Sequence, residues 1–79
     1  MEHLKKRMYN FLTYHGYEVK NILLFETNDI YQTVYFSIKM TDKNEKNKYL
    51  SFNLLSEYAD NKETLQELEK RILKELEKN

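Results

Sequence analysis

Cysteine, proline and tryptophan are absent from this 79-residue chain, and glycine occurs once, at Gly16. Without cysteine the chain cannot form a disulfide, a thiolate zinc site or a cysteine nucleophile, and such a composition suits a reducing compartment. No apolar run approaches the ~20 residues that a membrane-spanning helix needs. The first residues also differ from a secretory signal, because Lys5, Lys6 and Arg7 are followed by tyrosine, asparagine and threonine rather than by an apolar stretch. We therefore expect a cytoplasmic protein that does not enter the membrane.

An excess of charge of either sign is lacking too, since thirteen basic side chains balance thirteen acidic ones. A general nucleic-acid-binding protein usually has a basic excess, and a protein that mimics DNA has an acidic one. An electrostatic partner would therefore have to meet a local patch. The length predicts a single domain, residues 1–79, whose core is small enough to gain from a second copy or a partner. The sequence does not decide between a monomer and a homodimer.

Residues 30–40 carry the strongest pattern in the sequence. Apolar side chains occupy the even positions Ile30, Val34, Phe36, Ile38 and Met40, with Gln32 the exception. The odd positions are Tyr31, Thr33, Tyr35, Ser37 and Lys39. Successive side chains of a strand point to opposite faces, so this period of two predicts a strand with one face buried. The other face would present tyrosines and hydroxyls to solvent or to a partner.

Two further strands are predicted on either side of this one. Residues 17–25 form the first, and their apolar face changes side near Asn21, which indicates either a β-bulge or a second half covered on both faces. A turn at 26–29 and a polar loop at 42–47 separate the strands, and 48–55 forms the third. Pairing Phe36 with Phe52 keeps the apolar residues of both strands on one side, so we expect an antiparallel meander.

Both ends of the chain have the periodicity of amphipathic helices. Between residues 2 and 15 the apolar stripe is Leu4, Met8, Phe11, Leu12 and His15, and Gly16 follows as a left-handed C-cap. Near the other end the stripe is Leu65, Leu68, Ile72, Leu73 and Leu76. Asp60 and Glu63 have capping-box spacing, although Ser56 could start this helix a turn earlier. The predicted fold is α+β, in the order α-β-β-β-α, with a three-stranded antiparallel meander and both helices on one face.

The sequence contains no signature of catalysis. His3 and His15 are the only imidazoles, and their helical spacing does not bring them together on one turn. A metal site would need carboxylates that the sequence does not identify, and neither a nucleophile elbow nor a glycine-rich phosphate loop is present. We expect a non-enzymatic protein with no catalytic residue, no metal and no cofactor.

A binding surface is the better hypothesis. Tyrosine buries a large ring while keeping a hydroxyl for hydrogen bonding, and it is enriched where binding energy concentrates. The predicted partner-binding residues lie on the outer strand face and around the polar loop: Tyr31, Thr33, Tyr35, Lys39, Tyr49, Ser51, Lys43, Lys46 and Lys48. Two partners remain open. One is a protein; the other is RNA or single-stranded DNA, whose bases would stack on the tyrosines while lysines of the loop, together with Lys5, Lys6 and Arg7, contact phosphates.

The order α-β-β-β-α is also that of the double-stranded-RNA-binding domain. That family places a lysine-rich motif at the start of its last helix and a Gly-Pro-x-His segment at its first hairpin. Here those places hold residues 60–63 (Asp-Asn-Lys-Glu) and 26–29 (Glu-Thr-Asn-Asp). The similarity is one of topology, and the family's function does not carry over.

A second resemblance is carried by the stretch 16–20 (Gly-Tyr-Glu-Val-Lys), the tyrosine-bearing second strand and the polar turn at 42–47. In this outline the chain resembles small phage-encoded anti-CRISPR inhibitors. That resemblance implies an inhibitor or accessory factor of a phage or mobile element that blocks a host or defence-system effector by covering its surface. The neutral charge departs from the strongly acidic inhibitor of that kind, so DNA mimicry is not implied.

Overall fold

The structure, a computed structural model, describes residues 2–78. In chain order the elements are α1 (Glu2–Tyr14), β1 (Glu18–Glu26), β2 (Thr33–Thr41), β3 (Asn47–Leu55), a 3-10 turn (Ser56–Tyr58) and α2 (Lys62–Lys78). The strands form one antiparallel sheet in the order β1-β2-β3, so β2 is central and each of its neighbours has a free edge. The predicted α+β fold and its order of elements are confirmed.

The pairing of β2 with β3 follows the apolar pattern of the two strands. Phe36 lies opposite Phe52, as predicted, and every pair from Thr33–Leu55 to Thr41–Asn47 keeps that register. The two phenyl rings are in contact, with centroids 5.0 Å apart. Because the side-chain period is two, a slip of one residue would carry the whole apolar set to the solvent side. Burial of that set therefore specifies the register.

The pairing of β1 with β2 contains the bulge that the sequence indicated. Val19 lies opposite Met40 and Asn21 lies opposite Lys39, so Lys20 is the extra residue. After the bulge, alternation resumes with Ile22 buried and Leu24 half-buried on the core side, while Leu23 and Phe25 are exposed. The bulge is thus confirmed, and the alternative of a segment covered on both faces is wrong.

Both helices pack on one face of the sheet, which we call the helix-covered face. The core comprises side chains from α1, the three strands, the segment before α2 and α2 itself: Leu4, Met8, Leu12, Ile22, Val34, Phe36, Ile38, Met40, Leu50, Ala59, Leu65, Leu68, Ile72 and Leu76. All four stripe residues of α2 in this set belong to the domain's own core, while Leu73 is half-buried at its margin. Burying one such aliphatic side chain contributes about 1.5–3 kcal/mol.

Gly16 ends α1 as predicted, with φ at +90°. The N–H of Gly16 donates to the carbonyl of Thr13, and the N–H of Tyr17 donates to the carbonyl of Leu12 at 3.0 Å. These two bonds form a Schellman motif, which satisfies carbonyls that have no partner within the helix. The turn directs the chain back so that Tyr17 packs against the core and β1 begins.

The start of α2 differs from the predicted capping box by one residue. Asn61, not Asp60, is the N-cap: its Oδ1 accepts the N–H of Thr64 at 2.8 Å. Ser56 begins a separate 3-10 turn that places Ala59 in the core. Asp60 instead lies 2.6 Å from His3 Nε2 and so joins this turn to the start of α1.

The predicted start of the central strand at Ile30 is wrong. β1 continues to Glu26, and a six-residue connection, 27–32, replaces the expected four-residue turn. Asp29 organises it, since its Oδ1 accepts the N–H groups of Tyr31 and Gln32. Ile30 is 95% exposed at the tip of this connection rather than buried. A residue that fits an alternating pattern can therefore lie outside the strand when side-chain hydrogen bonds favour a turn.

Candidate protein-binding surface on the open face of the sheet

The sheet has a second side that neither helix covers, which we call the open face. Odd-numbered residues of β2 and β3 lie there, together with Asn21, Leu23 and Phe25 of β1, which follow the bulge. Their registers build rows across the three strands: Asn21–Lys39–Tyr49, Leu23–Ser37–Ser51 and Phe25–Tyr35–Asn53. The Cβ atoms of cross-strand neighbours on one face are about 4.5–5.5 Å apart, so each row is a strip of adjacent side chains.

Large apolar side chains are unusually exposed on this face. Leu23 is 56% exposed, Phe25 is 58% exposed and Tyr49 is 65% exposed, while Leu55 stands at the same side of the sheet next to Thr33. The half-buried Tyr35 lies between them on the central strand. The polar side chains Ser37, Ser51 and Asn53 separate and rim these residues. An exposed apolar patch with a polar rim is the usual composition of a protein-interaction surface.

Phe25 and Tyr35 are the most closely organised pair on the open face. They lie directly opposite each other in the β1–β2 register. Their ring centroids are 5.3 Å apart and their planes differ by 15°, which is a stacked arrangement. Stacking fixes both rings without enclosing them, so they offer a rigid aromatic surface at low entropic cost of binding.

A second aromatic feature lies towards the β2–β3 loop. Lys39 Nζ stands 5.8 Å from the centroid of the Tyr49 ring, within reach of a cation–π interaction. The predicted residues Thr33 and Ser51 also lie on the open face, Thr33 half-buried and Ser51 exposed. The structure therefore brings together five of the predicted partner-binding residues: Thr33, Tyr35, Lys39, Tyr49 and Ser51.

Tyr31 does not join this set, and its predicted position on the strand is wrong. It lies in the 27–32 connection, 74% exposed, at the end of the sheet opposite the β2–β3 loop. A nine-residue strand such as β2 spans about 27 Å, so Tyr31 and the lysines of that loop lie at opposite ends of the domain. One ligand strand could reach both only by running the full length of the sheet.

Lys48 also differs from its prediction. It lies opposite Met40 on the helix-covered face, with only 9% of its surface exposed, so it is not part of the open face or of an accessible loop. Lys43 and Lys46 are exposed in the loop itself. Asp42 holds that loop, because its Oδ1 accepts the N–H groups of Asn44 and Lys46 at 2.8 and 3.0 Å. The hydrogen bond from Lys46, followed by that from Asn44, lowers the pKa of the Asp42 carboxyl.

The three basic residues of α1 do not form one patch. Arg7 makes a bidentate pair with Glu69 of α2, at 3.0 Å from Nε and 2.9 Å from Nη2. These hydrogen bonds raise the pKa of the guanidinium, and they engage it within the domain. Lys6 is exposed and Lys5 is half-buried on the side of α1 next to β1. Consecutive helix residues point about 100° apart, so the three side chains diverge, and only Lys5 and Lys6 line the shallow depression between α1 and β1.

Leu23 and Phe25 were missed among the candidate binding residues. The signal that could have identified them is the change of apolar face at Asn21. A bulge moves every later side chain of β1 to the other side, which leaves 23 and 25 outward. The exposure of these two residues can be predicted only if the strand has a bulge, since in the alternative both of its faces would be covered.

Within 2–78, no group of three or more imidazole and carboxylate side chains is arranged to hold a metal ion. His3 faces Asp60, and His15 contacts the rings of Phe11 and Tyr14 at the end of α1, so the two imidazoles lie apart. In the same part of the chain, no helix has both the length and the apolar character required to traverse a bilayer.

Comparison with protein-family models finds no match, and comparisons with curated proteins and with solved structures find none either. The geometry of the open face is therefore the basis for any assignment of function.

Proposed function

We propose that this protein is a non-catalytic binding module that docks a protein partner through the open face of its sheet. The observation that most supports this proposal is the exposure of Leu23, Phe25 and Tyr49 on one rigid surface around Tyr35. Each of these rings and branched chains would lose its contact with water on binding, at about 25 cal/mol per Å² of apolar surface. A sheet held by its register presents this surface without rearrangement, which keeps the entropic cost of association low.

The mechanism would be steric. The Phe25–Tyr35 stack would lie at the centre of the contact, where water is excluded, and Ser37, Ser51 and Asn53 would form hydrogen bonds at its rim. Lys39 would contribute a charge beside the Tyr49 ring. In this proposed mechanism the protein transforms no substrate. The protein would act by covering a surface that its partner needs.

An inhibitor or accessory factor of a phage or mobile element, active in the cytoplasm, is the biological role that we propose for such a module. The outline shared with anti-CRISPR inhibitors supports this role, and a host or defence-system effector would then be the partner. The neutral charge favours a contact dominated by aromatic and aliphatic groups over mimicry of DNA.

The test is affinity capture from host lysate with three baits: the wild-type protein, Phe25→Lys, and Tyr14→Lys as matched control. Tyr14 is an exposed aromatic residue at the end of α1, so its replacement makes the same charge change away from the open face. We expect a partner that resists nuclease treatment, binds the wild type and the control, and is lost from Phe25→Lys. Retention by Phe25→Lys would overturn the proposed surface.

Binding of RNA or single-stranded DNA is the second candidate, favoured by one observation. The exposed Tyr49 ring, with Lys39 beside it, lies at the end of the sheet that carries Lys43 and Lys46. A base stacked on such a ring contributes about 1–3 kcal/mol. A salt titration separates the candidates, because phosphate contacts make log affinity fall steeply with log salt concentration. A partner that is lost on nuclease treatment would favour this second function.

A further inference from the structure

The two free edges of the sheet are built differently. The edge of β1 is interrupted by the bulge at Lys20 and carries Glu18 and Lys20, whose side chains pair at 2.8 Å. Charges and bulges are the devices by which natural sheets prevent another strand from adding to an edge. The edge of β3 has neither device. From Tyr49 to Leu55 it contains no charged residue, no proline, no glycine and no bulge.

The hydrogen-bonding pattern identifies which backbone groups of β3 are available. Leu55 lies opposite Thr33, and the next pair is bonded, since the N–H of Ser56 donates to the carbonyl of Gln32 at 2.7 Å. Bonded and non-bonded pairs alternate along an antiparallel ladder. Leu54, Phe52 and Leu50 therefore bond to β2. Within the segment 49–55, the residues whose backbone N–H and C=O groups point away from the sheet are Tyr49, Ser51, Asn53 and Leu55.

The other ladder agrees with this assignment. In the central strand, alternate residues must bond to opposite neighbours. The carbonyl of Thr33 accepts the N–H of Thr27, the residue that follows β1, at 2.9 Å. Val34 then bonds to β3, where its opposite residue is Leu54. Both ladders thus leave the same four residues of the segment 49–55 with outward backbone groups.

A groove of about 480 Å³ runs between this edge and α2. Its floor contains apolar side chains from both elements: Leu50, Phe52, Leu68 and Ile72. Phe52 belongs to the helix-covered face but is only half-buried, so α2 leaves the margin of the core open along β3. We call this feature the β3–α2 groove.

The rim of the β3–α2 groove is cationic. α2 contributes Arg71, Lys74 and Lys78 to it, against the single carboxylate of Glu75, for a formal charge of +2. A second copy of this chain pairing through its own β3 would bring two such rims together and repel. An extended segment with acidic side chains would instead complement the rim while its backbone satisfies the outward groups of β3.

We propose that the β3–α2 groove binds an extended acidic segment of a protein partner as a fourth strand. The added strand would lie about 4.8 Å from β3 and pair with Tyr49, Ser51, Asn53 and Leu55. One set of alternate side chains would face the groove, where apolar groups meet Phe52 and carboxylates meet Arg71 and Lys74. The four strand residues contribute side chains to the open face and backbone groups to the groove, so the two sites are tested independently by changes at Phe25 on β1 and at Lys74 on α2.

The test uses a labelled ten-residue extended peptide whose groove-facing positions alternate between valine and glutamate, with threonine at the positions between them. A matched peptide has lysine in place of glutamate. The readouts are affinity and amide hydrogen exchange of the full chain. We expect the acidic peptide to bind more tightly and to slow exchange at Tyr49, Ser51, Asn53 and Leu55 selectively. Failure of the acidic peptide to bind, or equal binding of the lysine peptide, overturns the proposal.

Two variants locate the interaction. Lys74→Glu should weaken binding of the acidic peptide by about tenfold, whereas Lys62→Glu, the same charge change at the start of α2, should not. Ser51→Pro removes one outward N–H at a position where an edge strand tolerates proline, and Ser51→Ala is its control. If Ser51→Pro does not fold, the comparison of Lys74→Glu with Lys62→Glu is the remaining test. Unaltered affinity of Lys74→Glu would show that the peptide does not bind in the groove.

Two further measurements exclude other occupants. Protection of the four outward amides that grows with protein concentration, without peptide, would show that a second copy occupies the edge. An oligothymidylate of the same charge that binds as tightly as the peptide, with the same dependence on Lys74, would show a site for polyanions in general. Either result overturns the assignment to an acidic strand.

Discussion

Phe25 and Tyr35 stack on the open face of the sheet, 5.3 Å apart between ring centroids, although one belongs to an edge strand and the other to the central strand. The pair is exposed on one side and supported by the sheet on the other. It links the fold to the proposed function, because the register that buries the core also places these two rings together.

The first prediction concerns this pair. Tyr35→Ala should leave the fold intact but weaken binding of the captured partner, because the ring contributes contact area rather than core packing. A double-mutant cycle with Phe25→Ala should give a coupling free energy of about 0.5–1 kcal/mol in chemical unfolding. Loss of folding on Tyr35→Ala would instead show that the ring is part of the core.

The second prediction concerns Gly16, which ends α1 at φ +90°. A Cβ at this position would meet no heavy atom within 4 Å, so crowding does not contribute. Gly16→Ala should lower the free energy of unfolding by about 1–2 kcal/mol, the cost of a side chain in the left-handed region. Gly16→Asn should cost less, since asparagine tolerates this region. An alanine variant as stable as the wild type would mean that α1 ends differently.

The third prediction concerns Arg7 and Glu69, which join α1 to α2 through two hydrogen bonds. A cycle of Arg7→Gln and Glu69→Gln should give a coupling of about 1 kcal/mol at low salt, near the upper end for partly exposed pairs with bidentate geometry. The exposed pair Glu67–Lys70, at 3.6 Å, is the control and should give about 0.3 kcal/mol. Equal coupling in both cycles would show that the bidentate geometry has no energetic consequence.

The fourth prediction concerns pH. Backbone hydrogen bonds from Lys46 and Asn44 lower the pKa of Asp42 in the folded protein. A carboxylate with a lowered folded pKa contributes stability above its unfolded pKa, and loses that contribution as pH falls through the folded value. Stability should therefore decline below about pH 4, the unperturbed range of aspartate.

Asp42→Asn serves as the matched variant for this effect. It keeps a side-chain oxygen that can accept both N–H groups but removes the titrating proton. Thermal unfolding between pH 2 and pH 6, with NMR titration of the Asp42 carboxyl carbon, measures the effect. An Asp42 pKa at or above its ordinary value would contradict the hydrogen-bonded loop.

The strands and helices could be predicted because their signals are local. Alternation in β2 and β3 and the stripe of α2 each depend on residues a few positions apart. The position of Ile30 could not be predicted in this way. It continues the alternation, but the hydrogen bonds from Tyr31 and Gln32 to the Asp29 side chain stabilise a turn there instead.

The candidate surface was predicted less completely than the fold. Tyr35, Lys39 and Tyr49 are on the open face as expected. Leu23 and Phe25 join them only because β1 has a bulge at Lys20, which the sequence left as one of two alternatives. Lysine is usually a surface residue, yet Lys48 lies opposite Met40 and therefore on the helix-covered face. The alternation of the whole strand decides the position of Lys48, because turning this one side chain outward would shift its apolar neighbours into water.

By itself the sequence determined the order of elements, the buried side of the central strand and the two-sided character of the sheet, since period and turn residues act over a few positions. Only the tertiary structure decided that Arg7 pairs with Glu69, that Phe25 meets Tyr35 and that β3 retains a bare edge beside a cationic helix. Those features join residues far apart in the chain, and no local pattern encodes the distance between them.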